Sequence, residues 1–284
     1  MRLAVIIPSY NRLHKLEILV NQLLHQKLPP NLDTAIFVIN DGSADGTYEY
    51  LKELNYSIKQ ICGNGLWYYT KSMNIGFKAA KDFKPDFILA LNDDIEIEEN
   101  YIANLVSAID ILPDNSIVGS VSTSILNRDE QLYFGVKKIK WWLNKSIEYS
   151  KNDFIGNKIL PTKTLPGRGM LIPYKVLESL NFFDEKYIQY GSDDEFCLRA
   201  TKHGFGVYLN SNAIVFTNPN STNKFSPINK PSIIKYIGSW FNKRSSTYLG
   251  NSIRLHLSYG PIITIPFAII FMLAGRIKSL IKHR

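Results

Sequence analysis

Cysteine is scarce in this chain of 284 residues, and Cys62 and Cys197 are the only two. Two cysteines provide neither a disulfide framework nor a four-ligand zinc site, so the sequence fits a reduced, cytosolic setting. Two nucleotide-binding signatures are also missing. No Gly-x-x-x-x-Gly-Lys-Ser/Thr loop occurs, which disfavours a P-loop NTPase. No Gly-x-Gly-x-x-Gly run opens a helix after the first strand, which argues against a dinucleotide-binding Rossmann domain.

Acidic residues are absent after Glu195. Residues 196–284 carry 12 lysines and arginines, whereas residues 1–195 carry 21 basic and 25 acidic residues. A tail that is basic and partly apolar is typical of proteins that bind an anionic surface, either lipid or nucleic acid. The apolar run at residues 260–275 favours lipid, and nucleic acid is not expected as a partner.

This apolar run is 16 residues long, which is shorter than the roughly 20 residues that cross a bilayer. Basic residues flank it on both sides, so they indicate no orientation across a membrane. We expect an interfacial or re-entrant segment among anionic headgroups. The alternative is an apolar C-terminal helix that packs on the core or on a second subunit.

Strand and helix patterns alternate in the first half of the chain. The apolar start has no signal-type core followed by a cleavage site, so it is assigned to the first strand. The βαβα order predicts an α/β fold with a doubly wound, mostly parallel sheet. Strands are predicted at residues 3–7, 35–39, 58–61 and 87–91, and helices at 13–25, 47–54, 71–81 and 102–112.

Shorter β-like pieces follow a fifth strand at residues 118–122 and predict a smaller antiparallel part. Hairpins are suggested at residues 133–136 and around Trp141 and Trp142, and helices at 175–180 and 193–203. The predicted organisation is a domain of residues 1–220, with halves of about 1–122 and 123–220, followed by a basic, partly apolar helical tail of residues 221–284.

Polar or small residues follow each of the four predicted parallel strands. Because open α/β sheets bind ligands at the carboxyl ends of their strands, these residues are expected to line one crevice. Asp93 and Asp94 would repel each other there, and a divalent cation carrying a phosphate would relieve the repulsion. The alternatives are a solvated turn for this pair, and an Asp-Gly turn with a local hydrogen bond for Asp41. The strand ends are residues 8–11, 40–43, 63–65 and 92–94.

Four motifs, in order along the chain, resemble those of the family 2 glycosyltransferases, which have a GT-A fold. They are residues 6–11, 38–47, 91–94 and 191–200, and the resemblance covers about residues 3–217. Residues 63–69 and 73–76 are similar to the subgroup that includes bacterial rhamnosyltransferases and related polysaccharide enzymes.

The resemblance assigns a role to individual positions. Asp193 matches the general base, with Ser192 in place of the glutamate that usually precedes it; an acidic helix start is the alternative. Asp94, together with Asp93, matches the ligands of a divalent cation, Mn²⁺ or Mg²⁺. The positions that match the nucleotide-sugar site are Pro8, Ser9, Asn11, Asp41, Gly65, Trp67, Asn74, Asn92 and Asp93, and those on the acceptor side are Arg168, Gly169 and Asp194.

Some of these positions also have ordinary alternatives. Trp67 could stack on a sugar or belong to the core, and Arg168 could bind diphosphate or be a surface arginine. Many family members have a histidine after the last core strand that completes the metal site. Residues 216–218 contain none, which leaves the site without that ligand.

Together these patterns predict an inverting hexosyltransferase that uses a UDP- or dTDP-linked sugar. The acceptor would be a hydroxyl of a glycan or lipid-linked glycan in cell-surface polysaccharide synthesis. A carboxylate would take the acceptor proton, and the cation would neutralise the leaving diphosphate. The expected location is the cytoplasmic membrane face, as a peripheral or monotopic protein, with a homo-oligomer possible. The alternatives are a non-catalytic membrane-bound nucleotide-sugar-binding subunit and a nucleotidyltransferase.

Overall fold

The computed structural model describes residues 1–54, 58–219 and 233–282. The nucleotide-binding half contains strands β1 (Arg2–Ser9), β2 (Asp33–Asn40), β3 (Ile58–Cys62), β4 (Phe87–Ala90), β5 (Ile95–Ile97) and β6 (Ile117–Ser124). Its helices are α1 (Leu13–Leu24), α2 (Thr47–Glu53), α3 (Tyr68–Ala79) and α4 (Tyr101–Val106).

The second half and the tail contain the remaining elements. The strands are β7 (Gln131–Tyr133), β8 (Val136–Lys140), β9 (Lys145–Glu148), β10 (Ile159–Pro161), β11 (Met170–Pro173) and β12 (Val207–Thr217). The helices are α5 (Tyr174–Ser179), α6 (Ser192–Lys202), α7 (Ile233–Ser239), α8 (Leu249–Tyr259) and α9 (Ile265–Lys282). The predicted boundary between residues 220 and 221 lies outside the described residues.

One sheet organises the domain, in the order β10-β12-β6-β11-β4-β1-β2-β3. Strands β1 to β4 are parallel wherever they pair, and β6 is parallel to β12. Strand β11 lies between β4 and β6 and is antiparallel to both. The predicted α/β architecture, with its mostly parallel sheet and smaller antiparallel part, is confirmed.

Both faces of the sheet are buried, as expected for parallel strands covered by helices. On one face Ile6 of β1 packs with Met73 and Phe77 of α3, and on the other Val5 packs with Leu16 of α1. Helix α3 approaches closely because it has Gly76 at the contact. A Cβ atom there would lie 2.4 Å from Cγ2 of Ile6.

The predicted helix at residues 102–112 is wrong in its extent. Helix α4 ends at Val106, and a separate 3₁₀ turn spans Ile109–Ile111. Its apolar residues Ile102, Leu105 and Val106 are buried, and Ala108 and Leu112 still pack on the same core although the α-helical hydrogen bonding has ended, whereas Ile111 is exposed.

The tail forms helices that pack on the domain. Ala268 and Met272 of α9 are buried, and Arg276 donates a hydrogen bond to the carbonyl of Thr247. These residues are spaced by four, so one stripe of α9 faces protein along its length. Most of the other side chains at residues 265–277 are apolar and exposed. By length and composition alone, α9 is the one helix among the described residues that could cross a membrane.

Candidate active site

The carboxyl ends of β1 and β2 are joined by a set of short hydrogen bonds. The amide of Asp41 donates to the carbonyl of Ser9 at 3.0 Å, and the amide of Asn11 donates to Oγ of Ser43 at 3.0 Å. The Asn11 side chain in turn accepts a bond from the Ala44 amide at 2.8 Å. Pro8, Ser9, Asn11 and Asp41 therefore lie together at one edge of the sheet, as the strand order predicts.

Asp41 is buried and holds the turn that begins α3. Its Oδ1 accepts a bond from the Gly65 amide at 2.9 Å, and its Oδ2 accepts from Trp67 at 2.9 Å and Tyr68 at 3.1 Å. The turn is tight, because a Cβ atom on Gly63 would lie 2.4 Å from Oδ1 of Asp41. The carboxylate thus brings Gly65 and Trp67 to the same edge as the ends of β1 and β2.

Asp93 and Asp94 follow β4 and share one arginine, Arg12. Nη1 of Arg12 lies 2.8 Å from Oδ1 of Asp93 and 3.3 Å from Oδ2 of Asp94. Both carboxylates are almost fully buried, whereas the arginine side chain is 46% exposed. Burial raises the pKa of the Asp93 carboxyl, and the Arg12 guanidinium opposes that shift.

Sequence reasoning missed Arg12, although the sequence contained a signal for it. The residue directly follows Asn11 at the end of β1, and a basic side chain there faces the parallel strand end that carries two acids. Opposite charges on adjacent strand ends are the pattern that could have revealed the pair.

The oxygen atoms around Asp94 fit a hard divalent cation. The Oδ1 atom of Asn92 is buried and has no hydrogen-bond partner among the described residues, so it adds an uncommitted amide oxygen beside the two carboxylates. Carboxylate and amide oxygens are the ligands that Mg²⁺ and Mn²⁺ prefer. No third His, Cys, Asp or Glu joins the pair within the described ranges. The remaining ligands would have to come from phosphate oxygens or water.

Asp193 lies in the first turn of α6, and Gly191, with φ +91°, is the N-cap residue that precedes this helix. Its Oδ2 accepts a bond from the Gly167 amide at 2.8 Å, and its Oδ1 accepts from the Asp194 amide at 3.0 Å. Burial raises the pKa of Asp193 despite these bonds. Burial and the neighbouring Asp193 charge raise the pKa of Asp194 to about 7.

The loop before β11 connects this carboxylate to the strand-end group. The amide of Gly169 donates to the carbonyl of Ala90, the last residue of β4, at 2.8 Å. Gly169 has φ +95°, and a Cβ atom there would lie 2.5 Å from the hydroxyl of Tyr101. The loop thereby brings Arg168 and Asp193 to the edge that carries Asp93. The Arg168 charge lowers the pKa of Asp193, against the larger effect of burial.

Asn74 is the predicted site residue that the structure commits elsewhere. Its amide nitrogen donates to the carbonyl of Phe183 at 2.9 Å and to Glu185 at 3.0 Å, and its oxygen accepts from the Phe183 amide at 3.0 Å. Contact with a donor would require these buried bonds to break.

The tail helices contact the element that carries Asp193, which the sequence did not indicate. The hydroxyl of Tyr259 donates to Oε1 of Glu195 at 2.5 Å, and Arg199 pairs with the same carboxylate at 2.8 Å. Asn251 of α8 donates to the carbonyl of Tyr190 at 2.8 Å, just before α6. The guanidinium of Arg244 lies 4.3 Å from the ring centroid of Tyr68. The tail therefore packs against α6 and against the start of α3, beside the candidate site.

Comparison with known proteins agrees with this fold. The protein-family model described as "Glycosyl transferase family 2" matches residues 4–170. The chain therefore belongs to glycosyl transferase family 2 and has a GT-A fold, which confirms the predicted family. No curated protein sequence matches the chain significantly.

Several solved structures share the fold at low sequence identity. Structures of S. aureus TarS and of GalNAc-T7 with UDP, GalNAc and Mn²⁺ have TM-scores of 0.58 and 0.63, each at 16% identity. The match to TarS covers 91% of this chain but only 43% of the TarS chain. The match to GalNAc-T7 covers 95% of this chain but only 54% of the GalNAc-T7 chain. The mannosyltransferase PcManGT from Pyrobaculum calidifontis, in complex with GDP-Man and Mn²⁺, has a TM-score of 0.59 at 15% identity, with 99% of this chain and 72% of that one covered.

Proposed function

We propose that this glycosyltransferase inverts the anomeric centre as it moves a sugar from a nucleoside diphosphate to an acceptor hydroxyl. One observation carries the proposal. The 167–169 loop binds Asp193 through the amide of Gly167 and binds the end of β4 through the amide of Gly169. The carboxylate of Asp193 therefore lies at the same edge as the Asp93 and Asp94 pair, which supports direct displacement with Asp193 as the base.

Asp193 is the general base of the proposed reaction. Its carboxylate takes the proton of the acceptor hydroxyl as the oxygen bonds to the anomeric carbon and the bond to the diphosphate breaks. The two backbone amides that bind Asp193 fix its orientation, and burial raises its pKa towards the working pH, which makes it a stronger base. Attack by one hydroxyl on the face opposite the leaving group inverts the configuration.

The donor is proposed to be a UDP- or dTDP-sugar. Asp41, Gly65 and Trp67 form the wall for the nucleotide, together with Pro8, Ser9 and Asn11. GalNAc-T7 with UDP and PcManGT with GDP-Man support a nucleoside diphosphate on this fold.

Asp94 and Asp93, with the Oδ1 atom of Asn92, are the residues that would hold Mn²⁺ or Mg²⁺ at the diphosphate. A divalent cation bound there supplies positive charge that stabilises the leaving group. Mn²⁺ in the structures of GalNAc-T7 and PcManGT supports this assignment. Arg12 provides a second positive charge at the same place.

The acceptor is proposed to be a glycan or lipid-linked glycan at the cytoplasmic face of a membrane. Helix α9 exposes Phe267, Ile270 and Ile277 while its other stripe packs on the domain. An apolar surface of this kind on a basic tail suits an interfacial position in an anionic membrane. The packed stripe favours a helix that lies along the protein over one that crosses the bilayer.

A transfer assay with radiolabelled nucleotide sugars tests this function. Incubation of the protein with UDP-, dTDP- and GDP-sugars, Mn²⁺ and bacterial lipid-linked glycans should yield a labelled product from one donor class. Proton NMR of that product should show an anomeric configuration opposite to that of the donor. Retention of configuration would overturn the single-base mechanism, and release of pyrophosphate from a nucleoside triphosphate would indicate a nucleotidyltransferase.

A further inference from the structure

The hairpin of β8 and β9 ends in a tip with unusual chemistry. Strand β8 ends at Lys140, a 3₁₀ turn spans Trp141–Leu143, and β9 begins at Lys145. Two tryptophans are thus flanked by two lysines. Neither the fold nor the proposed transfer reaction accounts for this combination.

The two lysines repel each other in the folded hairpin. Lys140 and Lys145 are directly opposite in the register of β8 and β9, so their side chains leave the same face of the hairpin. Cβ atoms of such pairs lie about 4.5–5.5 Å apart, and like charges there are destabilising. Neither lysine has a hydrogen-bond or ion-pair partner within the described ranges. A nearby anion would turn this unfavourable pair into a binding site.

The tip also shares a surface with the apolar side of α9. The rings of Trp142 and Phe271 meet edge to face with centroids 5.8 Å apart, and both side chains remain more than 40% exposed. Trp141 packs in the same way on His256 of α8, at 5.0 Å. The lysine pair, Trp142 and the exposed face of α9 therefore form one continuous surface.

We propose that the β8–β9 tip is a second membrane-binding element, which docks on an anionic lipid bilayer together with α9. The proposal rests on the membrane association given under the proposed function. Tryptophan favours the headgroup level of a bilayer, because its ring is apolar and its N–H is polar. Lysines beside it attract anionic headgroups. A tail without acidic residues adds charge of the same sign.

The position of the tip deepens the proposed function, because it fixes the enzyme at two points instead of one. The tip belongs to the acceptor half, and α8 packs both on Trp141 and on the residues before α6. Docking of the tip and α9 would hold the start of α6, with Asp193, at a fixed height above the bilayer. An acceptor anchored in the same bilayer would then meet the base at a defined distance.

Sedimentation of the full chain with vesicles tests the proposal. The probes are phosphatidylcholine vesicles with and without phosphatidylglycerol. The double variant Lys140→Gln/Lys145→Gln should bind the anionic vesicles roughly 30-fold more weakly, since each lysine contributes about fivefold. Its Tm should not fall, because the change removes a repulsion. Trp142→Ala should weaken binding to both kinds of vesicle.

A matched control removes two exposed lysines elsewhere. Lys52→Gln/Lys175→Gln, in α2 and α5, makes the same change in net charge and should bind within about twofold of the unaltered protein. If the tip variant binds as this control does, the tip inference is overturned while the membrane association of α9 stands. If the unaltered protein binds neither kind of vesicle, both fail. If the tip variant instead dissolves a dimer that forms without lipid, a second copy covers the surface and the lipid inference is wrong.

Discussion

Arg12 balances the charge of Asp93 and Asp94, so its removal should expose their mutual repulsion. We expect Arg12→Gln to lower the free energy of unfolding by about 1 kcal/mol, because the arginine is half exposed and its two partners are buried. Mn²⁺ should then raise the Tm more in the variant than in the unaltered protein, because the cation no longer competes with the Arg12 guanidinium for the two carboxylates.

Thermal denaturation with and without Mn²⁺ measures this difference. Arg128→Gln is the control, because its pair with Glu98 is exposed on both sides. Equal shifts of Tm by Mn²⁺ in Arg12→Gln and in the unaltered protein would show that Arg12 and the cation do not share a site.

Asp41 satisfies three backbone amides, so its loss should destabilise the turn at residues 63–68. Asp41→Ala leaves those N–H groups without an acceptor. We therefore expect the free energy of unfolding, measured by urea denaturation, to fall by about 3 kcal/mol. Asp33→Ala removes a carboxylate that is 60% exposed and should cost less than about 1 kcal/mol. Similar losses in the two variants would mean that the Asp41 bonds contribute no more than a surface pair.

Asp194 should make the protein less stable as the pH rises. Its pKa is raised from 3.8 to about 7, so the folded state binds more protons than the unfolded state between these values. Stability therefore falls as the pH increases through this window, and remains lower above it. Asp194→Asn removes this pH dependence. The free energy of unfolding of the variant, relative to that of the unaltered protein, should therefore increase by on the order of 2 kcal/mol from pH 5 to pH 8. Urea unfolding at both pH values checks this; a constant difference would rule out the shift.

At the scale of elements, a short hydrogen bond from Tyr259 to Glu195 joins α8 to α6, and Lys202 of α6 lies 5.8 Å from the ring centroid of the same tyrosine. Tyr259→Phe removes the hydroxyl that donates to Glu195, and the carboxylate keeps Arg199 as its partner. We expect this variant to lower the free energy of unfolding by about 1.5 kcal/mol. Hydrogen exchange should rise in α8 more than in α1, which packs on the opposite part of the sheet. Equal exchange in α8 before and after the change would show that the bond does not hold the helix.

The elements that sequence patterns predicted well are those with a strong local signal. Three of the four parallel strands contain continuous apolar runs, and polar or small residues follow all four runs, so the number of strands and their shared edge followed from the pattern. Helix α4 was predicted too long because apolar spacing continues past Val106, through Ala108 to Leu112, although the α-helix itself ends at Val106. Apolar spacing does not show where an α-helix gives way to a 3₁₀ turn that packs on the same core.

The parts of the site that could not be predicted depend on contacts between distant segments. Tyr259 meets Glu195 across 64 residues of sequence. The bond from Gly167 to Asp193 likewise depends on where β11 enters the sheet. Asn74 shows the converse case, because a motif position that suggested a donor contact is engaged by the turn at Phe183. Topology determines these pairs, and one sequence pattern does not specify them.

For the molecule as a whole, the uneven charge and the exposed α9 should act together. We expect the full chain to bind anionic vesicles, and Phe267→Glu/Ile270→Glu to weaken that binding strongly, because both side chains face outward and two negative charges oppose the lipid. Co-sedimentation with phosphatidylglycerol vesicles measures the effect. The control Leu24→Glu/Tyr48→Glu places the same charges on exposed apolar positions of the nucleotide-binding half. Equal loss in both variants would mean that net charge alone determines binding.

The central claim is that Asp193 takes the acceptor proton in the sugar transfer, and the rate of Asp193→Asn tests it most directly. The amide oxygen can still accept the bond from Gly167, so the loop should keep its position while the base is lost. We predict that kcat falls about 100- to 10,000-fold while the Kd of the nucleotide sugar stays within about threefold. Asp129→Asn, at a side chain that is 99% exposed, should leave both values unchanged. Transfer by Asp193→Asn at a near-normal rate would contradict the account.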